Sequence, residues 1–336
     1  MRSLYGKWGL VVVLGACVLM AVMALSLMVG PESVHVQALL GNGQHARALR
    51  TLLFDVRLPR IVLGALAGGA LGAVGASLQA LLRNALADPY VLGTSGGAAL
   101  GGTLTLMWSG MPAAGIMLPA GAFGGALGAT AFVYAIARAN RAASVTGVLL
   151  AGIVVNAFAA ACITLIKLLA TATQAQELLF WLVGTVGYES WHTLAVLACV
   201  IVLGIMSLFL MTGRMNLLSL GDHAATHLGV NLRRVQWTMF LATSLLVGVV
   251  VAFSGMIGFV GLVVPHGVRL VVGPDHRLVL PASVFAGAAF LVLADTLARL
   301  LFQTLGTEAP VGAVTAVVGC PVFLYLLLRR RTHVAL

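Results

Sequence analysis

Apolar runs of about twenty residues recur along almost the whole of this chain, interrupted only by short clusters of charge, glycine and proline. A helix needs roughly 20 apolar residues to cross a bilayer, so the pattern dictates helical spans and leaves no room for a sizeable soluble domain. Breaking the 336 residues at the polar clusters predicts ten spans, near 8–30, 58–82, 91–108, 114–137, 144–170, 192–212, 236–254, 258–270, 280–302 and 310–328. Composition agrees. Only 8% of residues are charged, against about 25% in soluble domains, and mean hydropathy is +1.08. The expected fold class is an all-α polytopic membrane protein with about ten transmembrane helices, one transmembrane domain over 1–336.

Two segments depart from simple spans. The eighth is too short to cross alone and is bracketed by Gly255, Gly258, Gly261 and Pro265, which predicts a short or broken helix buried among its neighbours. Residues 174–189 read as an amphipathic helix at the outer interface. The apolar run following Arg2 and Lys7 is too long for a signal-peptide core and reads as a retained first span. Small residues recur every fourth position at Gly64, Gly68, Gly72 and Ala76, at Gly97 and Gly101, and at Gly121, Gly125 and Ala129. In lipid that spacing lets helix backbones approach closely.

The net charge of +10 reads as topology. It does not read as nucleic-acid binding, because no basic block lies beside aromatic residues outside the spans. With the N-terminus inside, thirteen of the 19 basic residues fall on the cytoplasmic side (Arg2, Lys7, Arg83, Arg138, Arg141, Arg214, Arg233, Arg234, Arg269, Arg277 and Arg329 to Arg331), beside only Asp88, Asp222 and Asp275. The outer side holds Arg47, Arg50, Arg57, Arg60, Lys167 and Arg299 with six acids. That asymmetry predicts both termini in the cytoplasm. Cys17, Cys162, Cys199 and Cys320 all lie in apolar runs and read as small hydrophobes.

No catalytic set and no metal-ligand spacing is present; His223 and His227, four apart, lack a third ligand nearby. No GxxxxGK[ST] loop occurs either, so ATP hydrolysis would have to come from a partner. The segment 218–230 is a polar interruption on the cytoplasmic side, with Gly221, Ala224, Ala225 and Gly229 among Leu218, Leu220 and Leu228. It suits a compact pair of short helices for another protein to grip. Buried ionisable residues are few, and Asp295 and Arg299, at i and i+4, are expected to pair; the scarcity argues against an ion-coupled carrier. Arg57, Arg60 and Arg299 lie on the outer side, against the charge bias. Lipid-phosphate anchoring, pairing with Asp55 and Asp295, and a basic pocket for acidic groups of a docking protein all account for them.

Seven motifs stand in order along the chain: Arg57-Leu58-Pro59-Arg60; Arg83-Asn84 followed by Leu86-Ala87-Asp88-Pro89; Gly93-Thr94-Ser95-Gly96-Gly97-Ala98; Leu220-Gly221-Asp222 with Ala225 and Leu228-Gly229-Val230; Gly258-Phe259-Val260-Gly261 through Pro265-His266 to Arg269; Asp295-Thr296 with Arg299; and Pro310-Val311-Gly312 through Phe323. In this the chain resembles the FecCD family of ABC importer permeases, which serve iron-siderophore, haem and cobalamin uptake. The resemblance covers nearly the whole chain. It implies type II ABC importer permease architecture and a multi-pass protein of the bacterial inner membrane. It also implies a homodimer (in some cases a pseudo-dimer), two cytoplasmic ABC ATPase subunits, and an external or periplasmic substrate-binding protein. Coupling to the ATPase would fall to Leu220, Gly221, Asp222, Ala225, Leu228 and Gly229, and docking of the binding protein to Arg57, Arg60 and Arg299. The inner gate would lie at Asn84 and at Ser144, Val145 and Thr146. The chain itself would bind no cofactor, the partner ATPase using ATP and Mg. Ala85 stands where the family usually has Pro, and Cys320 where a small apolar residue is usual. Ferric siderophore is the leading cargo expectation, with haem and cobalamin as alternatives; an ion-coupled secondary transporter is the competing class.

Overall fold

A computed structural model describes residues 2–30, 44–109, 114–139 and 145–331. Its helices are α1 (Arg2–Met28), α2 (Gln44–Thr51), α3 (Leu58–Leu81), α4 (Thr94–Ser109), α5 (Ala114–Ala139), α6 (Val145–Leu168), α7 (Ala172–Val183), α8 (Trp191–Phe209), α9 (Thr212–Leu218), α10 (Asp222–His227), α11 (Leu232–Ser254), α12 (Val260–Val272), α13 (His276–Leu305) and α14 (Val311–Arg331). Ten of these match the ten predicted spans one for one. Seven helical stretches among the described residues are long and apolar enough to cross a membrane, the longest running from Arg47 to Leu81. The remaining three matches are α4 at 16 residues, α12 at 13, and α14, whose apolar part is Val311–Leu326.

The centre of the bundle is α3, buried almost continuously from Ala67 to Leu81. Its glycine row is what allows this. A Cβ on Gly68 would overlap the Gly287 carbonyl oxygen, and one on Gly72 the Ser283 carbonyl oxygen, so α3 and α13 touch backbone to backbone. The other two small-residue rows face each other: Gly97 and Gly101 of α4 lie against Gly125 and Gly121 of α5. Lipid supplies no hydrophobic drive between helices, so such close packing is what holds them together.

Two predicted boundaries shift. The amphipathic segment expected over 174–189 is helical only as α7, which opens on a capping box between Thr171 and Gln174 and stops at Val183. Gly184 (φ +88°) ends it, and residues up to 190 are not helical. The second span, in turn, begins earlier than expected. Residues Leu52–Arg57 form a π-helical turn joining α2 to α3, with the Leu58 N–H bonded to the Leu53 carbonyl.

The chain between α11 and α12 is non-helical, and several of its backbone groups find partners outside it, as buried backbone in a bilayer requires. The Tyr90 hydroxyl donates to the Ile257 carbonyl at 2.8 Å and accepts from the Ile257 N–H at 2.6 Å. The Ser254 carbonyl accepts from the Thr185 N–H at 2.9 Å. Tyr90 itself is held by Asn156 Nδ2, which donates to the Tyr90 carbonyl at 2.6 Å, while Asn156 Oδ1 accepts from the Gly96 N–H at 3.0 Å. The short eighth span anticipated from its glycines is thus a half-length helix entered through a pinned, irregular segment. Cys17, Cys199 and Cys320 are exposed on the surface of the chain, and Cys162 is half-buried.

Candidate functional site

Polar groups gather at the two ends of α3, separated by its 24 residues, about 36 Å at 1.5 Å per residue. At the first end the π turn brings Arg57 inward, and Arg60 follows one helical turn later. Arg57 Nη1 donates to the Leu27 carbonyl at 3.2 Å. Arg299 donates to the carbonyls of Val29 and Ser26, both at 3.2 Å, and to Ser26 Oγ at 2.7 Å. Both guanidiniums therefore sit on the C-terminal end of α1, where unpaired carbonyls and the helix dipole favour cations. They are 6% and 4% exposed.

Asp295 joins this pair to Arg60. One carboxylate oxygen accepts from Arg299 Nε at 3.1 Å, the other from Arg60 Nε and Nη2 at 3.0 and 2.9 Å. The expected Asp295–Arg299 pair is present, but Asp295 serves two arginines. Arg60 Nη1 lies 3.1 Å from Glu308, whose side chain is 55% exposed. Three positive and two negative groups thus meet here, and the arrangement is close to internally compensated. Of the three arginines expected to form a basic pocket, only Arg60 turns a corner of its guanidinium outward, and Glu308 covers it. Beside Arg60 opens a cavity of about 490 Å³ lined by Phe180, Thr185, Val186, Tyr188, Thr307 and Ala309. Nearby, burial raises the Glu189 carboxyl above its usual range.

At the opposite end, α9 and α10 form a compact joint, with α9 at Thr212–Leu218 ending where the expected 218–230 segment begins and only α10 within it. Gly221 between them has φ +104°, and Gly229 after α10 has φ +84°, both in the region L side chains avoid. Ala225 is fully buried under the joint, whereas Leu220 and Leu228 are 62% and 58% exposed. The joint is fastened to the start of α13 by Asn216. Its Nδ2 donates to Asp275 at 2.7 Å, and its Oδ1 accepts from the His276 N–H at 2.9 Å and faces His276 Nδ1 at 2.8 Å. Asp222, opening α10, reaches back to Arg83 at 2.8 Å.

Arg83 belongs to the turn that leads from α3 to the gate candidate Asn84. Asn84 is exposed, and its Oδ1 accepts from the Leu86 N–H at 2.9 Å, with the Ala87 N–H bonded to the Asn84 carbonyl at 3.1 Å. The turn closes on these bonds with Ala85 in place of the family's usual Pro. Asp88 Oδ1 accepts from the Tyr90 N–H at 2.7 Å. Burial raises the Asp88 carboxyl, and this bond offsets part of the rise. Of the other gate candidates, Ser144 lies outside the described residues; Val145 and Thr146 open α6, and their side chains lie outside the description too.

Asn216, His276, Glu308, Ser26, Tyr90 and Asn156 were not singled out from the sequence. Each acts on a partner far along the chain, as in the 248-residue separation of Arg60 and Glu308, and no local pattern marks them.

Helices packed through glycine rows, a half-length helix entered through an irregular segment, and a two-helix joint at one end fit the ABC permease architecture that the resemblance implies. The comparisons with known proteins agree. Residues 18–329 match the FecCD transport family. The chain is 41% identical over 284 residues to the cobalamin import system permease protein BtuC of Halobacterium salinarum, covering 84% of this chain and 75% of that protein. It is 38% identical over 287 residues to the hemin transport system permease protein HmuU of Yersinia pestis, covering 84% and 85%. A metal-chelate type ABC transporter solved in an inward-facing conformation superposes with a TM-score of 0.85 at 29% identity, over 95% of this chain and 98% of that one. The chain belongs to the FecCD transport family.

Proposed function

We propose that this chain is the membrane-spanning subunit of an ATP-driven importer for a bulky metal chelate. Two copies would enclose one pathway, with the termini and the α9–α10 joint in the cytoplasm. Two ATPase subunits would grip that joint, using ATP and Mg, and a substrate-binding protein would dock at the Arg60 end. The observation that carries the reading is the joint itself. It is fastened to α13 by Asn216 yet presents Leu220 and Leu228 to the outside at a polar end of the bundle, where exposed leucines suit a partner surface. Docking at the other end rests on Arg60 and the adjoining cavity, while Arg57 and Arg299 act from beneath by fixing α1 and α13 around it.

For the cargo, relatives named for cobalamin and hemin favour a tetrapyrrole chelate over the ferric siderophore expected from the family at large. The test is reconstitution with the ATPase and binding protein in liposomes, followed by uptake of labelled cobalamin, haem and a ferric siderophore. ATP-dependent accumulation of a tetrapyrrole is expected. Accumulation of the siderophore alone refutes the cargo assignment. Uptake by this chain alone under a proton gradient refutes the importer reading in favour of an ion-coupled carrier.

A further inference from the structure

Two helices end in the same hydrogen-bond pattern here, and only one of them ends as helices usually do. After α10, the Val230 N–H bonds to the Ala225 carbonyl at 3.0 Å and the Gly229 N–H to the Thr226 carbonyl at 2.9 Å. After α3, the Asn84 N–H bonds to the Gln79 carbonyl at 3.2 Å and the Arg83 N–H to the Ala80 carbonyl at 3.3 Å. Both are Schellman closures, whose pivotal residue takes the left-handed conformation and is usually glycine. At the first that residue is Gly229 (φ +84°); at the second it is Arg83 (φ +48°). An L-residue with a long side chain is disfavoured at such a position, so its side chain must serve some end that glycine cannot.

That side chain crosses to the other polar unit at this end. Arg83 Nη2 lies 2.8 Å from Asp222 Oδ1, the first residue of α10. A Cβ at Gly221 would come within 3.8 Å of Arg83 Nη1, so the guanidinium also lies over the pivot between α9 and α10. The two side chains are 43% and 47% exposed. An exposed ion pair contributes little to stability, so stability does not account for the strained arginine. Position does: the residue after Arg83 is Asn84, and Asn84 organises the turn through its bonds to Leu86 and Ala87.

We infer that Arg83 is a positioning residue, tying the α9–α10 joint to the turn 83–88 through Asp222, so that displacement of the joint is carried directly to that turn. The inference rests on the reading of the joint as the ATPase-coupling element. Motion at the joint has a second route through Asn216 into α13; the Arg83 tie is the direct route to the turn.

The test uses the full transporter in liposomes, with Cys17, Cys162, Cys199 and Cys320 replaced by alanine and Ala85 by cysteine. A membrane-impermeant maleimide reports the labelling rate of that cysteine with and without ATP and vanadate. In the otherwise unchanged chain the nucleotide is expected to alter the rate about threefold or more. R83D and D222R are each expected to abolish most of that change, the double variant R83D/D222R to restore at least half of it, and R83K to keep it. Persistence of the change in either reversal overturns the inference, as does a swapped pair no better than the reversals. Should the swapped chain fail to assemble, R83K against R83Q decides on the same readout, equal responses overturning the tie. A Leu220→Cys variant cross-linked to the ATPase separates the two levels. No cross-link overturns the coupling reading and the tie with it, whereas a cross-link without any nucleotide effect on the turn overturns the tie alone.

Discussion

Replacing Asp295 by alanine isolates the electrostatics of the arginine cluster. The Arg299 side chain is 5% exposed and that of Asp295 2%. Without the carboxylate, Arg299 keeps only neutral acceptors: the carbonyls of Ser26 and Val29 and the hydroxyls of Ser26 and Thr296. These solvate the charge without neutralising it. Removing one partner of a buried pair costs about 3–5 kcal/mol. Arg60 suffers less, since its Nη1 retains Glu308. The cost of D295A is therefore about 3–5 kcal/mol, carried almost wholly by Arg299. The double variant D295A/R299M removes the stranded charge and puts an unbranched apolar chain in its place. A coupling energy of about 2 kcal/mol or more is expected, bringing the double variant closer to the native chain than D295A alone. Thermal unfolding of the purified subunit in detergent reads both. A double variant as unstable as D295A, or a D295A within about 0.5 kcal/mol of native, refutes the claim that burial of Arg299 depends on this carboxylate.

Other consequences are as direct. G72A forces a Cβ into the Ser283 carbonyl and should cost about 1–3 kcal/mol, whereas G124A, with no atom within 4 Å of the new methyl, should be neutral or slightly stabilising; the same unfolding assay compares them. Y90F strips both bonds from Ile257 and should cost at least about 1–3 kcal/mol, with faster amide exchange over 255–259. Under the docking proposal Glu308 competes with the binding protein's acidic groups for Arg60, so E308Q should tighten binding a few-fold at low salt, an effect that fades as salt rises. The raised Asp88 carboxyl means that the folded chain holds that proton more tightly than the unfolded chain, so ionisation opposes folding as pH rises. Native protein should therefore lose stability relative to D88N as pH climbs through and above the ordinary carboxylate range, and a difference that stays flat with pH contradicts that account.

The spans were legible because crossing a bilayer imposes a length and a composition that any reader of the chain can recognise. The glycine rows were legible as packing faces, and α4 against α5 matches them row to row. What could not be read was compensation at a distance. Pairing with Asp295 was one of the accounts open for Arg57, Arg60 and Arg299, but the approach of Glu308 and of the carbonyl end of α1 exists only in the folded bundle. The π turn before α3 depends likewise on a register that local propensity does not encode, whereas the stop of α7 at Gly184 follows a local rule. One departure becomes visible only with the fold. In a chain of 40 glycines, a helix closure of the kind that favours glycine carries arginine at position 83. Among the described residues only Arg83 and Phe259 (φ +68°) are non-glycine residues with positive φ, and local rules tend to fail where function intervenes. Once the fold shows that position to be left-handed, the departure can be recognised, and Asp222 at 2.8 Å supplies its reason.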